Sequence, residues 1–244
     1  YRDAYIVSDS VYRIDDKNLG IAIKVNEGNK YYFRDITWVG NTKYDTTTLN
    51  RVLGIKKGDV YNKELLQTNL QYNEGGYDIS SIYMDDGYLF FNVEPVEVRV
   101  ENDSIDLEIR IYEGDQATIG KVSVSGNTKT NDHVVIREMY TKPGQLFSRS
   151  DVIRTTRELA ALGYFNAETL NPNIQPDPSD GTVDIEYIVE ETSSDQIELS
   201  AGWGYNSLIL TLGLTLNNFS FKNMFKKGAW TPIPGGDGQK LSLR

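Results

Sequence analysis

The chain has 244 residues, a formal net charge of −10 and no cysteine, with a sequence pI of about 4.7. This length is enough for two or three small domains. The acidic balance argues against a nucleic-acid partner, because phosphate binding needs a basic surface. Without cysteine the chain has neither disulfides nor thiolate metal sites. No apolar run approaches the roughly 20 residues of a membrane-spanning helix.

Two alternating segments at the start of the chain predict a β-hairpin. Strands are expected at residues 5–14 and 20–25, with a polar turn at 15–18 between them. The period of two places Ile21, Ile23 and Val25 on one face, as in a sheet that is buried on one side only. The second strand closes in a Glu-Gly pair that recurs later in the chain. Residues 1–28 are therefore interpreted as the C-terminal part of a module whose natural beginning precedes Tyr1.

The middle of the chain contains an internal repeat. Residues 36–58 and 122–144 match without a gap, so that the pair Gly40-Asn41 aligns with Gly126-Asn127. In both copies an alternating strand ends at the Gly-Asn turn, and a helix follows that a further glycine stops. In the second copy the helical period predicts that the apolar side chains of the first helix face inward: Val135, Ile136 and Met139.

Each copy continues into a longer unit. Ser148-x-x-Asp151 has the spacing of a capping box and predicts a second helix, which Gly163 is expected to end before two strands follow. The unit is strand–helix–helix–strand–strand, an α+β arrangement with two helices on a three-stranded sheet. Whole modules are expected at 29–114 and 115–191. The first has ten extra residues, placed within 73–86 and interpreted as a structural insertion that breaks the second helix and resumes it. The alternative is a partner-docking feature.

Proline positions predict the strand order of each module. If the last two strands form a hairpin and the first strand pairs on the far side, the last strand is central and the penultimate strand is an edge. Pro95, Pro172 and Pro176 fall in penultimate strands, where edges tolerate proline. The penultimate strand 5–14 has no proline, so its free backbone groups could accept an extended peptide of any sequence. The alternative is an ordinary module edge covered by its neighbour.

After residue 191 the pattern changes. Residues 192–196 form a polar link, and residues 208–216 carry leucine at every second position. Between the leucines lie Ile209, Thr211, Gly213 and Thr215, mostly small or polar. One continuously apolar face over nine to eleven residues is what a membrane β-barrel requires. Residues 192–244 are therefore interpreted as a link and the first strands of an outer-membrane barrel. A hairpin of a water-exposed domain is the weaker alternative, because no partner helix or sheet remains in the sequence to cover this face.

The module has specific sequence marks: V-x-G-N-T at the turn, P-G after the first helix and G-Y-F after the second. The residues that carry them are Gly40, Asn41, Gly126, Asn127, Gly163, Tyr164 and Phe165. These modules resemble POTRA domains, and their continuation into a barrel strand resembles the POTRA–barrel assembly proteins of Gram-negative outer membranes. The predicted fold class is thus α+β, tandem POTRA modules (β-α-α-β-β) followed by the first strands of a transmembrane β-barrel.

This resemblance implies a function in assembling the outer membrane. The chain is expected to lie at the outer membrane, with its POTRA modules in the periplasm, and to help fold and insert β-barrel proteins. The implied partners are unfolded outer-membrane proteins, periplasmic lipoproteins and outer-membrane lipid that contacts the barrel; no nucleic acid is expected. Two alternatives stay open: a POTRA–barrel secretion transporter, and a soluble cell-envelope scaffold without a barrel.

Two segments are candidate sites for unfolded client proteins. The edge strand 5–14 is expected to bind clients by β-augmentation, through residues Tyr5, Val7, Val11 and Tyr12. The resemblance implies that the first barrel strand is where the wall opens, and its residues are Ile197, Leu199, Ala201, Gly202, Trp203 and Gly204. Glycine packs poorly in strands, so the end of this strand should pair weakly. The alternative is an ordinary barrel strand in which glycine relieves crowding.

Catalytic arrangements have little support. His133 is the only histidine, so neither a Ser-His-Asp arrangement nor a zinc site is expected. The pairs Asp85-Asp86 and Glu190-Glu191 are interpreted as solvated charge, because adjacent residues of a strand point to opposite faces. The stretch Gly235-Gly236-Asp237-Gly238 predicts a turn or an extramembrane loop. No enzyme activity, cofactor or metal site is predicted.

Overall fold

The computed structural model describes residues 2–73, 75–177, 179–193, 195–204, 207–227, 230 and 233–244. Its chain divides into two compact units, Tyr1–Asp115 and Gln116–Arg244. In the described residues no helix is both long and apolar enough to cross a bilayer.

The first unit begins with the predicted hairpin. Strand β1 (Tyr5–Arg13) pairs antiparallel with β2 (Leu19–Asn26). Asp15 holds the turn, because its carboxylate accepts the Lys17 and Asn18 backbone N–H groups at 2.8 Å each. A register shift between Ile6 and Ser8 leaves Val7 as a bulge on β1. Nearly all residues of both strands are exposed.

A complete module follows in the first unit. Its elements are β3 (Tyr32–Val39), α1 (Thr46–Leu53), α2 (Lys63–Gln71), α3 (Ile79–Met84), β4 (Asn92–Glu101) and β5 (Ser104–Tyr112). The sheet order is β3-β5-β4, with β3 parallel and β4 antiparallel to β5. The predicted order is confirmed: the last strand is central, and Pro95 lies on an edge strand. The central strand buries every second residue against the helices: Ile105, Leu107, Ile109 and Ile111.

The second unit repeats this arrangement. Its elements are β6 (Thr118–Ser125), α4 (Asp132–Ile136), α5 (Arg149–Ala161), β7 (Asn171–Asp177) and β8 (Thr182–Ile188). The sheet order is β6-β8-β7, again with the last strand in the centre and proline on the edge strand. Ser148 caps α5 as predicted, by accepting the backbone N–H of Asp151 at 3.2 Å.

The first helix of the second module differs from its prediction. Val134 and Val135 are buried, whereas Ile136 is 56% exposed, so the inward position assigned to Ile136 is wrong. The reason is the length of α4, which ends after five residues. Met139 is buried as predicted, but it lies beyond the helix, so a single helical period could not describe all three positions.

The part of the insertion that forms α3 is buried, whereas residues 75–77 before it are exposed. Asp78 is fully buried and caps α3, where it accepts the backbone N–H and the hydroxyl of Ser81 at 2.8 Å. Tyr83 is also fully buried and stacks on Phe91 with ring centroids 4.3 Å apart. The predicted resumption of a helix at 79–83 is confirmed, and its function in the fold is to fill the core.

The last described strands form another three-stranded sheet, which we call the third sheet after those of the two modules. Strands β9 (Gln196–Gly204), β10 (Ser207–Phe219) and β11 (Gln239–Leu243) form an antiparallel sheet in the order β11-β10-β9. A short 3₁₀ helix, Lys222–Phe225, follows β10. In the described residues β9 and β11 are the two edges of an open sheet.

Candidate functional site

The Gly-Asn turns of the two modules have the same geometry. Gly40 and Gly126 have positive φ angles of 90° and 93°. A β-carbon at either position would collide with the carbonyl oxygen of the adjacent central strand, Ile111 or Val189. Both the backbone angle and the close approach therefore require glycine.

The asparagine that follows each glycine closes its loop in the same way. The side-chain amide of Asn41 donates to the Tyr44 carbonyl at 2.9 Å, and that of Asn127 donates to the Thr130 carbonyl at 2.9 Å. We call residues 40–45 and 126–131 the signature loops.

A glutamate at the end of each central strand holds the signature loop, and sequence reasoning missed both. Glu113 accepts the backbone N–H groups of Thr42 and Lys43 at 2.7 and 2.9 Å, together with the Thr42 hydroxyl. Its fourth donor is the hydroxyl of Tyr83, at 3.0 Å.

Glu191 has the corresponding position in the second module. Its carboxylate accepts the backbone N–H groups of Lys129 and Thr130 at 2.8 and 2.6 Å, and the Thr128 hydroxyl at 2.7 Å. The interpretation of Glu191 as solvated charge is therefore wrong. In the pair Asp85-Asp86, Asp86 forms an ion pair with Lys43 at 2.5 Å. The sequence signal for the glutamates was their recurrence at the end of each alternating strand.

The hydrogen bonds to these glutamates outweigh their burial. Burial alone would raise the pKa of Glu113, but the donors from Lys43, Thr42 and Tyr83 hold it below its ordinary value. The pKa of Glu191 is lowered in the same way, against burial, by its bonds from Thr130, Thr128 and Lys129. Both carboxylates are thus held in the charged form, which is the form that binds several N–H donors.

The G-Y-F mark lies in the core of the second module. Gly163 has a φ of 78° and follows the end of α5. Tyr164 and Phe165 are buried and contact each other edge-on, with ring centroids 5.6 Å apart. Their side chains thus pack in the interior of the module.

The second signature loop is covered by a turn from the third sheet. We call residues 233–238 the docked turn. The backbone N–H of Asn131 donates to the Gly236 carbonyl at 2.9 Å, and the Asn131 side chain donates to Asp237 at 2.8 Å. Asn218, at the end of β10, donates to the Thr130 hydroxyl at 2.8 Å. The stretch 235–238, predicted as a turn or an extramembrane loop, is therefore packed on the module.

Glycine permits this close approach. Gly236 has a φ of 111°, and a β-carbon there would collide with the Lys129 carbonyl oxygen. A β-carbon on Gly238 would lie 2.8 Å from the Val134 side chain and 2.9 Å from the Tyr164 hydroxyl. A cavity of about 220 Å³, lined by both polar and apolar side chains, lies beside the docked turn. In the described residues no group of three or more acidic, histidine or cysteine side chains could hold a metal.

The residues predicted for the client-binding edge all lie on β1. Its outer edge has no strand beside it among the described residues. Tyr12 lies over Gly20 of β2, where an added β-carbon would meet its ring at 2.7 Å. Val11 pairs with Ile21, and Val7 is the bulged residue. Both faces of the hairpin are exposed, so exposure alone does not single out these side chains.

The third sheet has two chemically different faces. On one face the odd residues of β9 pair with even residues of β10: Trp203 with Leu208, Ala201 with Leu210, Leu199 with Leu212 and Ile197 with Leu214. This face is apolar throughout and strongly exposed, with Trp203 at 87% and Leu199 at 78%. We call it the apolar face.

The opposite face carries small and polar residues, with Ile209 as an exposed apolar exception. Ser200 is paired with Thr211, Glu198 with Gly213 and Gly202 with Ile209. The predicted gate residues thus divide between the faces, since Gly202 and Gly204 lie opposite the apolar set. Strand β9 pairs with β10 along its full length, and among the described residues no strand pairs with its outer edge.

Two modules of one sheet topology, the first with an additional short helix, each have a glycine-asparagine turn held by a glutamate. They define a protein of tandem repeats. The sequence profile of the POTRA family, described as surface antigen variable number repeat, matches residues 31–114 and 117–192. The chain belongs to the POTRA family.

Its relatives include the outer membrane protein assembly factor BamA of Neisseria meningitidis serogroup B, 26% identical over 231 residues. The match covers 89% of this chain and 27% of the relative. BamA of Neorickettsia risticii is 27% identical over 217 residues, covering 87% of this chain and 27% of the relative. The chain therefore spans about a quarter of the length of the curated relatives it matches.

Solved structures share the fold. Haemophilus influenzae BamA POTRA3-5 aligns with a TM-score of 0.63 at 23% identity, covering 78% of this chain and 74% of that one. BamA from Haemophilus ducreyi lacking POTRA domains 1-3 aligns with a TM-score of 0.68 at 24% identity, covering 87% and 36%. With the curated relatives, family membership assigns the chain to the outer membrane, with its POTRA modules in the periplasm.

Proposed function

We propose that this chain is the periplasmic and membrane-entry part of an assembly factor that receives unfolded β-barrel proteins and helps insert them into the outer membrane. Residues 1–28 are the C-terminal part of one POTRA module, 29–114 and 115–191 are whole modules, and 192–244 are a link and the first barrel strands. Its partners are unfolded outer-membrane proteins, the periplasmic lipoproteins of an assembly complex, and lipid.

One observation carries this proposal. Two POTRA modules are followed, in the same chain, by a sheet with one continuous exposed apolar face. A monomeric protein in water rarely exposes a large contiguous apolar surface, whereas a barrel wall exposes one to lipid and keeps small or polar residues on its other face. The apolar face is therefore the lipid-facing side of the first barrel strands.

Client proteins enter by two strand edges in this proposal. The outer edge of β1 offers backbone N–H and C=O groups that pair with an extended client segment whatever its sequence. This suits a factor with many clients. The outer edge of β9 is the gate: it pairs with a client strand when the barrel wall opens there.

The β1 edge is tested by crosslinking the chain to an unfolded barrel protein. Val7→Pro removes a backbone donor at the bulge and should weaken crosslinking, whereas Val7→Thr keeps the donor and should not. Because Val7 lies at the register shift, the proline disturbs no regular rung of the β1–β2 ladder. Equal loss in both variants would show that the side chain, and not the edge, binds the client.

The gate is tested in the complete protein. A cysteine pair is introduced that ties β9 to the last barrel strand; residues 1–244 contribute no competing cysteine. Locking this pair should stop client assembly, and reduction should restore it. Client assembly at the unlocked rate in the locked protein would eliminate the gate, while leaving the lipid-facing sheet untouched.

A further inference from the structure

The segment between β10 and the docked turn has a composition unlike the rest of the chain. Residues 217–234 contain three lysines and no Asp or Glu, although the whole chain carries a net charge of −10. Lys222, Lys226 and Lys227 are all exposed. A local cluster of positive charge attracts a negatively charged surface.

Aromatic side chains accompany these lysines. Phe221 and Phe225 contact each other edge-on, with ring centroids 5.5 Å apart, and Phe225 is 76% exposed. Trp230 donates its indole N–H to the Met224 carbonyl at 3.1 Å, and most of its ring is exposed. Exposed aromatic residues beside lysine are typical of the boundary between lipid and water, where the ring enters the headgroup layer and the ammonium reaches water.

The topology places this segment at one end of the apolar face. Strand β9 begins at Gln196, five residues after Glu191 closes the module, and Gln196 pairs with Thr215 near the end of β10. The 3₁₀ helix that follows β10 therefore lies at the module's end of the third sheet. The docked turn, which contacts the module directly, leads back from this segment into β11.

We propose that residues 221–227, the aromatic–lysine turn, bind the phospholipid surface of the membrane on the side that faces the modules. Phe221 and Phe225 enter the headgroup layer, and Lys222, Lys226 and Lys227 bind lipid phosphates. Charge complementarity favours lipid over a protein partner, because the lysines lie at the edge of a face that is itself apolar. This assignment rests on the lipid-facing third sheet of the proposed function.

The test measures binding of the chain to phosphatidylcholine vesicles with and without phosphatidylglycerol. Each lysine near an anionic surface contributes about 1 kcal/mol, or roughly fivefold in affinity. Lys226→Gln/Lys227→Gln should therefore weaken binding to the mixed vesicles roughly 25-fold. It should leave binding to pure phosphatidylcholine little changed. Phe221→Ser/Phe225→Ser should weaken binding to both.

The chain offers a matched control. Lys56-Lys57 is also followed by glycine and is exposed, so Lys56→Gln/Lys57→Gln removes the same charge from the other unit. This control should bind like the unchanged chain. Equal weakening by the two lysine pairs would reduce the effect to net charge and overturn the proposal, as would no weakening by either.

A second readout separates this inference from the proposed function. With Trp38 and Trp230 replaced by Phe, Trp203 reports on the apolar face through quenching by brominated lipid chains. Quenching of Trp203 together with no effect of Lys226→Gln/Lys227→Gln would contradict lipid binding by the aromatic–lysine turn and leave the lipid-facing sheet supported. Absence of Trp203 quenching would contradict the proposal that the apolar face contacts lipid.

Discussion

The two complete modules share one signature loop but cover it with different segments. In the first module Tyr44 donates to the Ile82 carbonyl at 3.1 Å and contacts Tyr83 edge-on, so the insertion covers the loop. In the second module the equivalent residue, Thr130, is bonded to Asn218, and the docked turn covers it. The signature loop is covered in both modules, by the insertion of the same module in the first and by a turn of the third sheet in the second.

The same comparison explains the unequal first helices. Asp45 caps α1 by accepting the Thr48 N–H at 3.3 Å, and α1 has eight residues. Its equivalent, Asn131, makes no capping bond with its side chain, whose amide nitrogen donates to Asp237. A lost cap costs about 1 kcal/mol, and α4 has only five residues. In the second module the residue at the cap position, Asn131, contacts the docked turn instead of capping the helix.

The largest expected effect comes from removing the insertion's aromatic ring. Tyr83→Ala empties a fully buried position and should lower the free energy of unfolding by about 3–5 kcal/mol, as for other buried aromatic residues. Chemical denaturation measures this. Tyr83→Phe keeps the ring and loses only the bond to Glu113, so it should cost about 1 kcal/mol. Equal losses in the two variants would show that the hydroxyl, and not the ring, connects the insertion to the core.

The next effect is a pH dependence at Glu191. The folded-state pKa of Glu191 is lowered, so its charged form stabilises the fold above the unfolded pKa, and this stabilisation is lost as the pH falls through the folded pKa. Glu191→Gln should cost about 1–3 kcal/mol at neutral pH. The difference from the unchanged chain should vanish in acid. Glu190→Gln, at the exposed neighbouring position, should show no such difference; a pH-independent cost of Glu191→Gln would contradict the charge assignment.

A smaller effect is expected from the docked turn. Gly236→Ala adds a β-carbon against the Lys129 carbonyl at a positive φ and should cost more than about 1 kcal/mol. Hydrogen exchange of the Asn131 N–H, which donates to Gly236, should become faster. Gly202→Ala is the control, since nothing lies within 4 Å of its added carbon. Unchanged protection of Asn131 in Gly236→Ala would mean that the turn does not depend on this approach.

The smallest effect exchanges the cap residues of the modules. Asn131→Asp gives α4 the carboxylate that caps α1, but brings that charge to Asp237. The gain of a cap, about 1 kcal/mol, should nearly cancel the loss of docking, while amide exchange slows in α4 and quickens at Gly238. Asp45→Asn should change the stability of the first module by only a few tenths of a kcal/mol, because both residues cap well. Faster exchange in both α4 and the turn after Asn131→Asp would contradict the trade between cap and docking.

Local sequence patterns predicted the strand order and the helix starts. They did not predict contacts between residues that are distant in the sequence. Pro95 and the alternating last strands were enough to place edges and centres, because both signals lie within one strand. Glu191 looked like half of a charge pair, since its donors lie about 60 residues away in sequence. Asn131 and Asp237 are 106 residues apart, and the local sequence Gly-Gly-Asp-Gly does not indicate which residues it contacts. Ile136 failed because α4 ends before its period is established.

The docked turn would compete with any ligand for the second signature loop. A ligand that binds Thr130 and Asn131 of the second module must first displace Asn218, Gly236 and Asp237, and thereby frees the connection between β10 and β11. By thermodynamic reciprocity, whatever strains that connection makes the loop more available to such a ligand by the same factor. Ligand binding at this signature loop and the conformational freedom of the third sheet are therefore thermodynamically linked. The affinity measured for such a ligand depends on how freely the β10–β11 connection moves.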